Sequence, residues 1–391
     1  MIYFAITTNI LYMRKVLLSI ALLTTAIYTV AQQRTEAEAA AIAKTFMQEN
    51  GYNFDITKST APAKIRAKKA GEITPYYIFN DTRKGGFVIV GGQEGMSDIL
   101  AYSDEECFDI NDIPPTAANW LEAYTQCAII AADEPEKSKA CKREAAKAFA
   151  KSNFSLRQNV TPLLGEIKYN QMEPYNRKCP ILTVMEGGNK KTGTAITGCT
   201  QTAMAMIMRY WKWPERPTGS KSYTLNYYYS GSTTKQMNLS VNFNTEAPYE
   251  WDKILPRYEG HNYTAEQADA IARVMYHCGL CNEAEYGLNL TNAQLRHQGL
   301  VDYFGYSSDL KIDSYIYYRE KPNGDNEFRA MFAEEISSGR PILAGGSSQD
   351  YTAGHYYVID GFDLNGLFHF NLGWNGSSNG YYEVAPVPQV P

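Results

Sequence analysis

A cysteine and a histidine set the chemical question in this sequence. Gly198-Cys199-Thr200-Gln201 places a thiol where a loop-like stretch, Gly187 to Gly198, gives way to a helical pattern running to Lys212 and stopped by Pro214. A thiol at a helix start meets unpaired backbone N–H groups and the positive end of the helix dipole. Both favour the thiolate, which is the nucleophilic form. Taken alone, Cys199 reads first as a packed core thiol, since cysteine is among the most buried residue types. Gly354-His355-Tyr356-Tyr357-Val358-Ile359-Asp360-Gly361 changes that weighting, because here a histidine opens a strand after a flexible loop. A thiol and an imidazole are the minimum for cysteine nucleophilic catalysis: the ring takes the proton and later returns it to the leaving amine.

The chain has five histidines. His277 and His297 fall inside helical patterns and His261 in a charged loop, which leaves His355 and His369 as the better-placed bases. In Phe368-His369-Phe370, strand alternation turns His369 to the face opposite both phenylalanines, exposed or paired. Asn371-Leu372-Gly373-Trp374 follows closely. Asn371 can accept from one imidazole nitrogen and orient the ring, and Trp374 can shield that bond from water. The same four residues equally suit a glycine turn with a packed tryptophan.

The elements that must position these groups form an α+β pattern. Thr35-x-x-Glu38 is a capping box ahead of a helix over 36–49, with Asn50-Gly51 as the stop. Tyr76 to Phe79 and Phe87 to Val90 form a hairpin, Ile99 to Tyr102 adds a strand, and Thr116 to Ala131 a helix. Glu134 to Lys151 is rich in Lys, Glu and Ala and reads as an exposed linker of the kind proteases cut, or equally as a surface helix. From about Asn159 the composition shifts. Thr264-x-x-Gln267 caps a helix to about His277, Thr291-x-x-Gln294 caps another, and 326–338 is a helix ended by Gly339. Strands at Pro341 to Ala344, Tyr356 to Asp360 and Phe368 to Leu372 follow. A helical half followed by a strand-rich half places a cleft between them.

In order and surroundings, the cysteine, Gly-His-x-x-Val-Ile-Asp-Gly and Asn-x-Gly-Trp segments resemble the streptopain-like cysteine peptidases of streptococci and Bacteroidetes. The likeness extends to Gly85-Gly86-Phe87-Val88-Ile89-Val90 and Ile99-Leu100-Ala101-Tyr102-Ser103, similar to that family's inhibitory propeptide. Tyr169-Asn170-Gln171 and Pro174-Tyr175-Asn176 resemble the start of the mature enzyme. The resemblance runs from about Arg34 to Tyr382. It implies a papain-like two-lobed α+β peptidase domain behind a small α+β prodomain. The activity it implies is broad endopeptidase activity, often with an apolar residue two positions before the cut. Cys199 carries over as nucleophile, His355 as base and Asn371 as orienting residue. Gln171 carries over as an oxyanion donor beside the Cys199 N–H. The chain departs from the family in three places. Leu372 stands where relatives have tryptophan, leaving the shielding to Trp374. Gly345 stands where a glutamine is expected near the cleft. The chain stops soon after Tyr381-Tyr382, where relatives add a strand, so an open sheet edge is expected.

The implied product is a secreted zymogen: signal peptide 1–31, inhibitory prodomain 32–132, exposed linker with processing sites 133–158, and peptidase domain 159–391. Arg14-Lys15, the apolar run from Val16 to Ala26, and Thr29-Val30-Ala31 carry the signal-peptide expectation. Destination is extracellular, periplasmic or the cell surface of a bacterium. With 44% hydrophobic and 20% charged residues the chain is a soluble globular type, and a net charge of −5 is too mild for nucleic acid. The expected partners are protein or peptide substrates and the chain's own prodomain, with no membrane span after signal removal. No cofactor and no metal site is expected. Seven cysteines leave at least one unpaired. Cys278-x-x-Cys281 lacks a second metal-ligand pair, and packed thiols or a local disulfide suit it better than zinc. The rival reading is a catalytically weakened homologue acting as a binding or inhibitor protein; a thiol redox protein using Cys278 and Cys281 ranks below it.

Overall fold

The computed structural model describes residues 33–151, 158–260, 262–318, 321, 324–347 and 354–384. The signal-peptide stretch, His261 and part of the expected linker lie outside the described residues.

Helix α1 (Glu36–Glu49) starts with the expected capping box: the Thr35 hydroxyl takes the Glu38 N–H, and the Glu38 carboxylate takes the Thr35 N–H at 2.7 Å. Ala39, Ala43 and Met47, four apart, make its buried stripe. Three short strands follow, β1 (Lys58–Thr60), β2 (Ile65–Ala67) and β3 (Gly71–Ile73), then β4 (Tyr76–Asn80), β5 (Phe87–Gly91) and β6 (Ile99–Ser103). The β4–β5 turn is set by Asp81, whose buried carboxylate accepts the N–H groups of Asp55, Arg83 and Lys84 at 3.0, 3.1 and 3.2 Å. Burial pushes that carboxyl up, but the three donors hold it below the usual range. Gly85 has φ +85°, and a Cβ there would lie 2.2 Å from the Glu105 carbonyl oxygen, so the turn requires glycine.

The helix expected over 116–131 is α2 (Pro115–Asp133). The stretch read as an exposed linker or a surface helix takes the helical alternative, α3 (Pro135–Lys151), docked in its first half and exposed over 143–147. Lys139 pairs with Glu94 at 2.8 Å and Lys142 with Asp98 at 2.7 Å, and Ser138 is buried against Gly95. The Lys, Glu and Ala content that suggested exposure is also strong helix propensity.

The larger unit opens with hairpin β7 (Ile181–Glu186) and β8 (Asn189–Thr194), then α4 (Cys199–Trp211) and a long hairpin, β9 (Ser220–Ser230) with β10 (Thr233–Asn242). Helix α5 (Ala265–Asn282) begins on the predicted Thr264–Gln267 capping box. Thr291 caps no helix. The next one, α6 (His297–Asp302), has Arg296 ahead of it, while the Thr291 hydroxyl donates to the Ile196 carbonyl at 2.7 Å and accepts from Gly287 N–H. Cys278 and Cys281 are free thiols buried in α5, so the disulfide reading is not met. Helix α7 (Gly324–Ser337) precedes β11 (Ile342–Ser347), β12 (Gly354–Phe362), β13 (Phe368–Asn371) and β14 (Gly380–Tyr382).

Eight strands join in one antiparallel sheet, ordered β1-β4-β5-β6-β14-β13-β12-β11. Its two halves come from opposite ends of the chain and meet where Tyr102 faces Tyr381 and Ala101 faces Tyr382. Both edges of β14 are therefore paired, and the open edge expected beyond Tyr382 is filled by β6. Helices cover both faces. On one, α2 and α7 pack through Leu121, Tyr124, Phe332 and Ile336 against Ile78, Tyr357 and Phe370. On the other, α1 packs against Tyr77 and Val88. There α4 packs through Met204 and Met208 in the core that holds Val358.

Candidate active site

Three chain segments hold the start of α4. Thr197 N–H donates to the Gln171 carbonyl at 3.0 Å, Ile196 N–H to the Gly287 carbonyl at 3.1 Å, and the Thr200 hydroxyl to the Ala293 carbonyl at 2.7 Å. Gly198, at φ +91°, precedes the helix and leaves Cys199 as its first residue. Gly373 (φ +72°) closes in from the other lobe; a Cβ there would lie 3.0 Å from the Thr202 methyl. Gln171, the expected oxyanion donor, is 6% exposed, and its backbone carbonyl holds the loop two residues ahead of Cys199.

The Cys199 thiol lies against the backbone N–H of Tyr356, the residue after His355. The two candidate groups thus belong to touching elements, α4 and β12. Among the described residues no hydrogen bond joins thiol to imidazole. Along β12, Tyr356 and Val358 belong to the core that holds α4, while Tyr357 and Ile359 belong to the core that holds α2. Alternation puts His355 with the second set. Its Nε2 is 3.1 Å from the Leu372 carbonyl, and its ring lies 6.4 Å from that of Trp374. A carbonyl only accepts, so Nε2 carries the proton and Nδ1 is the free base.

Asn371 does not orient the ring here. Its Nδ2 donates to the Ile167 carbonyl at 2.7 Å and its Oδ1 accepts from Gly373 N–H at 3.3 Å, so it fixes the turn. The Leu372 carbonyl supplies the orienting bond instead. Trp374 does flank His355, and its Nε1 is buried with no acceptor among the described residues. His369 takes the paired alternative: its Nδ1 lies 2.6 Å from Asp360. At Gly345 a Cβ would lie 2.8 Å from the Tyr356 ring, so that ring fills the space a glutamine was expected to use.

Both candidate groups are electrically silent in this arrangement. Burial pushes the Cys199 thiol up, outweighing the Tyr356 N–H and the Thr200 hydroxyl and N–H that pull it down. The helix-start argument for a thiolate is therefore not met in this state. Burial also pushes His355 down to about 4, against the Leu372 bond, so the ring is neutral above that pH.

The N-terminal unit packs against the sheet from the α2 side. The Trp120 ring lies 5.5 Å from Phe370, which stacks at 5.0 Å on Tyr357. Lys168 is inserted between Glu105 at 2.9 Å and Glu106 at 3.1 Å. Burial pulls Lys168 down, and its bonds to those two carboxylates more than offset this, leaving it raised. The Tyr102 hydroxyl donates to Asp363 at 2.9 Å.

Residues 169–382, more than half of the sequence, match the Peptidase C10 family, and residues 31–128 match the Spi protease inhibitor family. The chain belongs to the Peptidase C10 family. This C10 peptidase is 29% identical to streptopain of Streptococcus pyogenes over 365 residues, covering 90% of this chain and 85% of that one. It is 27% identical to the thiol protease/hemagglutinin PrtT of Porphyromonas gingivalis, covering 89% of this chain and 38% of the other. Among solved structures it is similar to a mutant prointerpain A fragment of Prevotella intermedia. That match has 26% identity and a TM-score of 0.61, and covers 84% of this chain and 92% of that one. The fold is thus the papain-like peptidase with an N-terminal inhibitor-type domain, and the protein is a cysteine peptidase.

Sequence reading missed the Leu372 carbonyl, the Lys168 clamp and the facing of His355. A carbonyl leaves no mark in a sequence. Only the acidic run Asp104-Glu105-Glu106 signalled that a cation would be needed opposite it.

Proposed function

We propose that this C10 peptidase is a secreted zymogen that hydrolyses proteins through a Cys199 thioester, with His355 as base. The observation that carries the reading is the thiol of Cys199 at the start of α4, packed on the strand whose second residue is His355. The precursor described here is latent: a protonated thiol and a neutral imidazole turned to the α2 face. When the N-terminal unit leaves, β12 loses the cover of α2 and the ring can swing to the α4 side. Nδ1 then takes the thiol proton, the sulfur attacks the scissile carbonyl, and the ring returns the proton to the leaving amine. Water then hydrolyses the thioester by the same base. The Cys199 N–H and the Gln171 amide are the oxyanion donors in this reading. Trp374 shields the ring, and Asn371 holds the turn that carries the Leu372 carbonyl.

The domain limits follow: signal peptide 1–31, inhibitory unit to about 132, peptidase from about 159. Maturation falls between the end of α3 at Lys151 and Val160, whose backbone pairs with Phe362 in both directions. Export to the bacterial exterior rests on the Arg14-Lys15 and apolar run. The test is incubation of the purified precursor. Wild type should shorten and then clear casein, while Cys199→Ala should stay at full length. A Cys199→Ala precursor that matures and digests casein sinks the reading.

A further inference from the structure

Gln201 is the third residue of α4, two after the candidate nucleophile. It is 0% exposed, and neither its Oε1 nor its Nε2 has a partner. A buried primary amide with both ends unpaired is costly, and native proteins seldom keep one without a use. Its surroundings are made close by small residues. A Cβ on Gly198 would lie 3.1 Å from Oε1, and a Cβ on Gly279 of α5 would lie 3.6 Å from Cγ. Oε1 is therefore aimed at the backbone just before Cys199. Gly198 N–H also has no partner among the described residues. The third helical position is the one from which a Gln side chain reaches back to the N–H of the residue preceding the helix. Thr35–Glu38 and Thr264–Gln267 both make that bond in this molecule. Gly198–Gln201 has the same spacing with the bond left unmade.

We propose that Gln201 is a positioning residue for acylation: in the working enzyme its Oε1 takes the Gly198 N–H and so aims the next N–H, that of Cys199, at the oxyanion. The proposal rests on the reading of Cys199 as nucleophile. As the sulfur adds to the carbonyl carbon, the π pair moves to oxygen, and the negative oxygen needs donors already in place. A peptide free to rock at Gly198, which has no side chain to restrain it, presents Cys199 N–H poorly. The latent precursor leaves the bond open, and ordering the cleft closes it.

The test uses mature enzyme with Gln201→Met, which keeps the volume and loses both polar ends, and Gln201→Glu, which keeps the acceptor. Three quantities are read: kcat and KM on a peptide amide, the alkylation rate of Cys199 by iodoacetamide, and the thermal midpoint. Alkylation forms no oxyanion, so it should stay within twofold of wild type. Gln201→Met should lower kcat by about tenfold or more, a part of the roughly hundredfold to thousandfold effect of losing a whole oxyanion donor. KM should hold, and the midpoint should stay or rise as an unpaired amide is removed. Gln201→Glu should restore most of kcat. A kcat for Gln201→Met within twofold of wild type overturns the proposal, and so does a parallel fall in alkylation. If Gln201→Met does not fold, Gln201→Asn, one methylene too short to reach Gly198, must show the same isolated kcat loss or the proposal is lost. Cys199→Ala run alongside separates the two claims: peptidase activity surviving in it defeats the nucleophile reading itself.

Discussion

Removing the N-terminal unit should change the reactivity of Cys199 far more in acid than near neutrality, and the size of the change can be worked out. In the precursor the thiol is held above its ordinary value of 9.0, and His355, near 4, is uncharged at pH 5. At pH 5 a thiol at or above 9 is ionised in no more than about one molecule in ten thousand. An imidazolium–thiolate pair titrating near 5 would be about half ionised, a gain of roughly five thousandfold. Thiolates of lower pKa are weaker nucleophiles, by a Brønsted slope of about 0.45, so a four-unit fall gives back roughly sixtyfold. The net gain is about a hundredfold. The assay is iodoacetamide alkylation at pH 5, followed by mass spectrometry of the Cys199 peptide, in Gln171→Ala precursor and mature protein, where hydrolysis is slowed and the thiol kept. By the same arithmetic the gain should shrink to about twofold at pH 7, where roughly one precursor thiol in a hundred and nearly every mature thiol is ionised. Equal rates for precursor and mature protein at pH 5 refute the account of latency. So does a fast mature rate that survives His355→Ala.

Burial lowers His355 from 6.5 to about 4, so its neutral form stabilises the latent arrangement above 6.5, and that contribution drains away as pH falls towards 4. Hydrogen exchange at the β12 amides of Cys199→Ala precursor, corrected for the chemical exchange rate, should therefore accelerate below pH 6.5, and His355→Gln should flatten the dependence. Trp120→Ala removes the half-buried ring packed on Phe370. Full burial would make that cost about 3–5 kcal/mol, so about 2 kcal/mol is expected here, equivalent to roughly thirtyfold faster maturation of the precursor on a gel. A rate within twofold of wild type counts against α2 as the cover of His355. Gly345→Ala drives a methyl into the Tyr356 ring and should cost about 1–3 kcal/mol, read as a lowered thermal midpoint with the register of β11 on β12 retained.

The parts of this fold that could be read from the sequence are those whose signal is local. Thr35 and Glu38, or Thr264 and Gln267, are three residues apart and settle their helix starts between themselves. The β4–β5 hairpin follows from apolar runs and a glycine-rich turn. Thr291 offered the same letters as Thr264, but its hydroxyl is taken by Ile196, almost a hundred residues away, and no local rule anticipates that. In the site, sequence brought Cys199, His355, Trp374 and Gln171 into one neighbourhood. It did not reveal that Asn371 spends its amide on Ile167 and Gly373, nor which face of β12 carries the imidazole. The pattern around His355 suits either face. In the structure the ring bonds the Leu372 carbonyl, just past the end of β13 and 17 residues later.

The shared sheet explains how docking and latency become one property. β6 completes β14 by backbone hydrogen bonds, which fix where the N-terminal unit sits. That placement lays α2 over the β12 face carrying Tyr357, and His355 is enclosed on the same side. An imidazole buried this way is an unfavourable holder of charge, so the arrangement persists only while the cover is present. None of these contacts runs through the stretch between Lys151 and Val160. Cutting that stretch leaves the β6–β14 pairing, the Lys168 clamp and the Trp120 contact in place. The cut changes an intramolecular contact into an intermolecular one, whose strength then depends on concentration. In the proposed function, latency should accordingly end when the N-terminal unit dissociates rather than when the chain is severed.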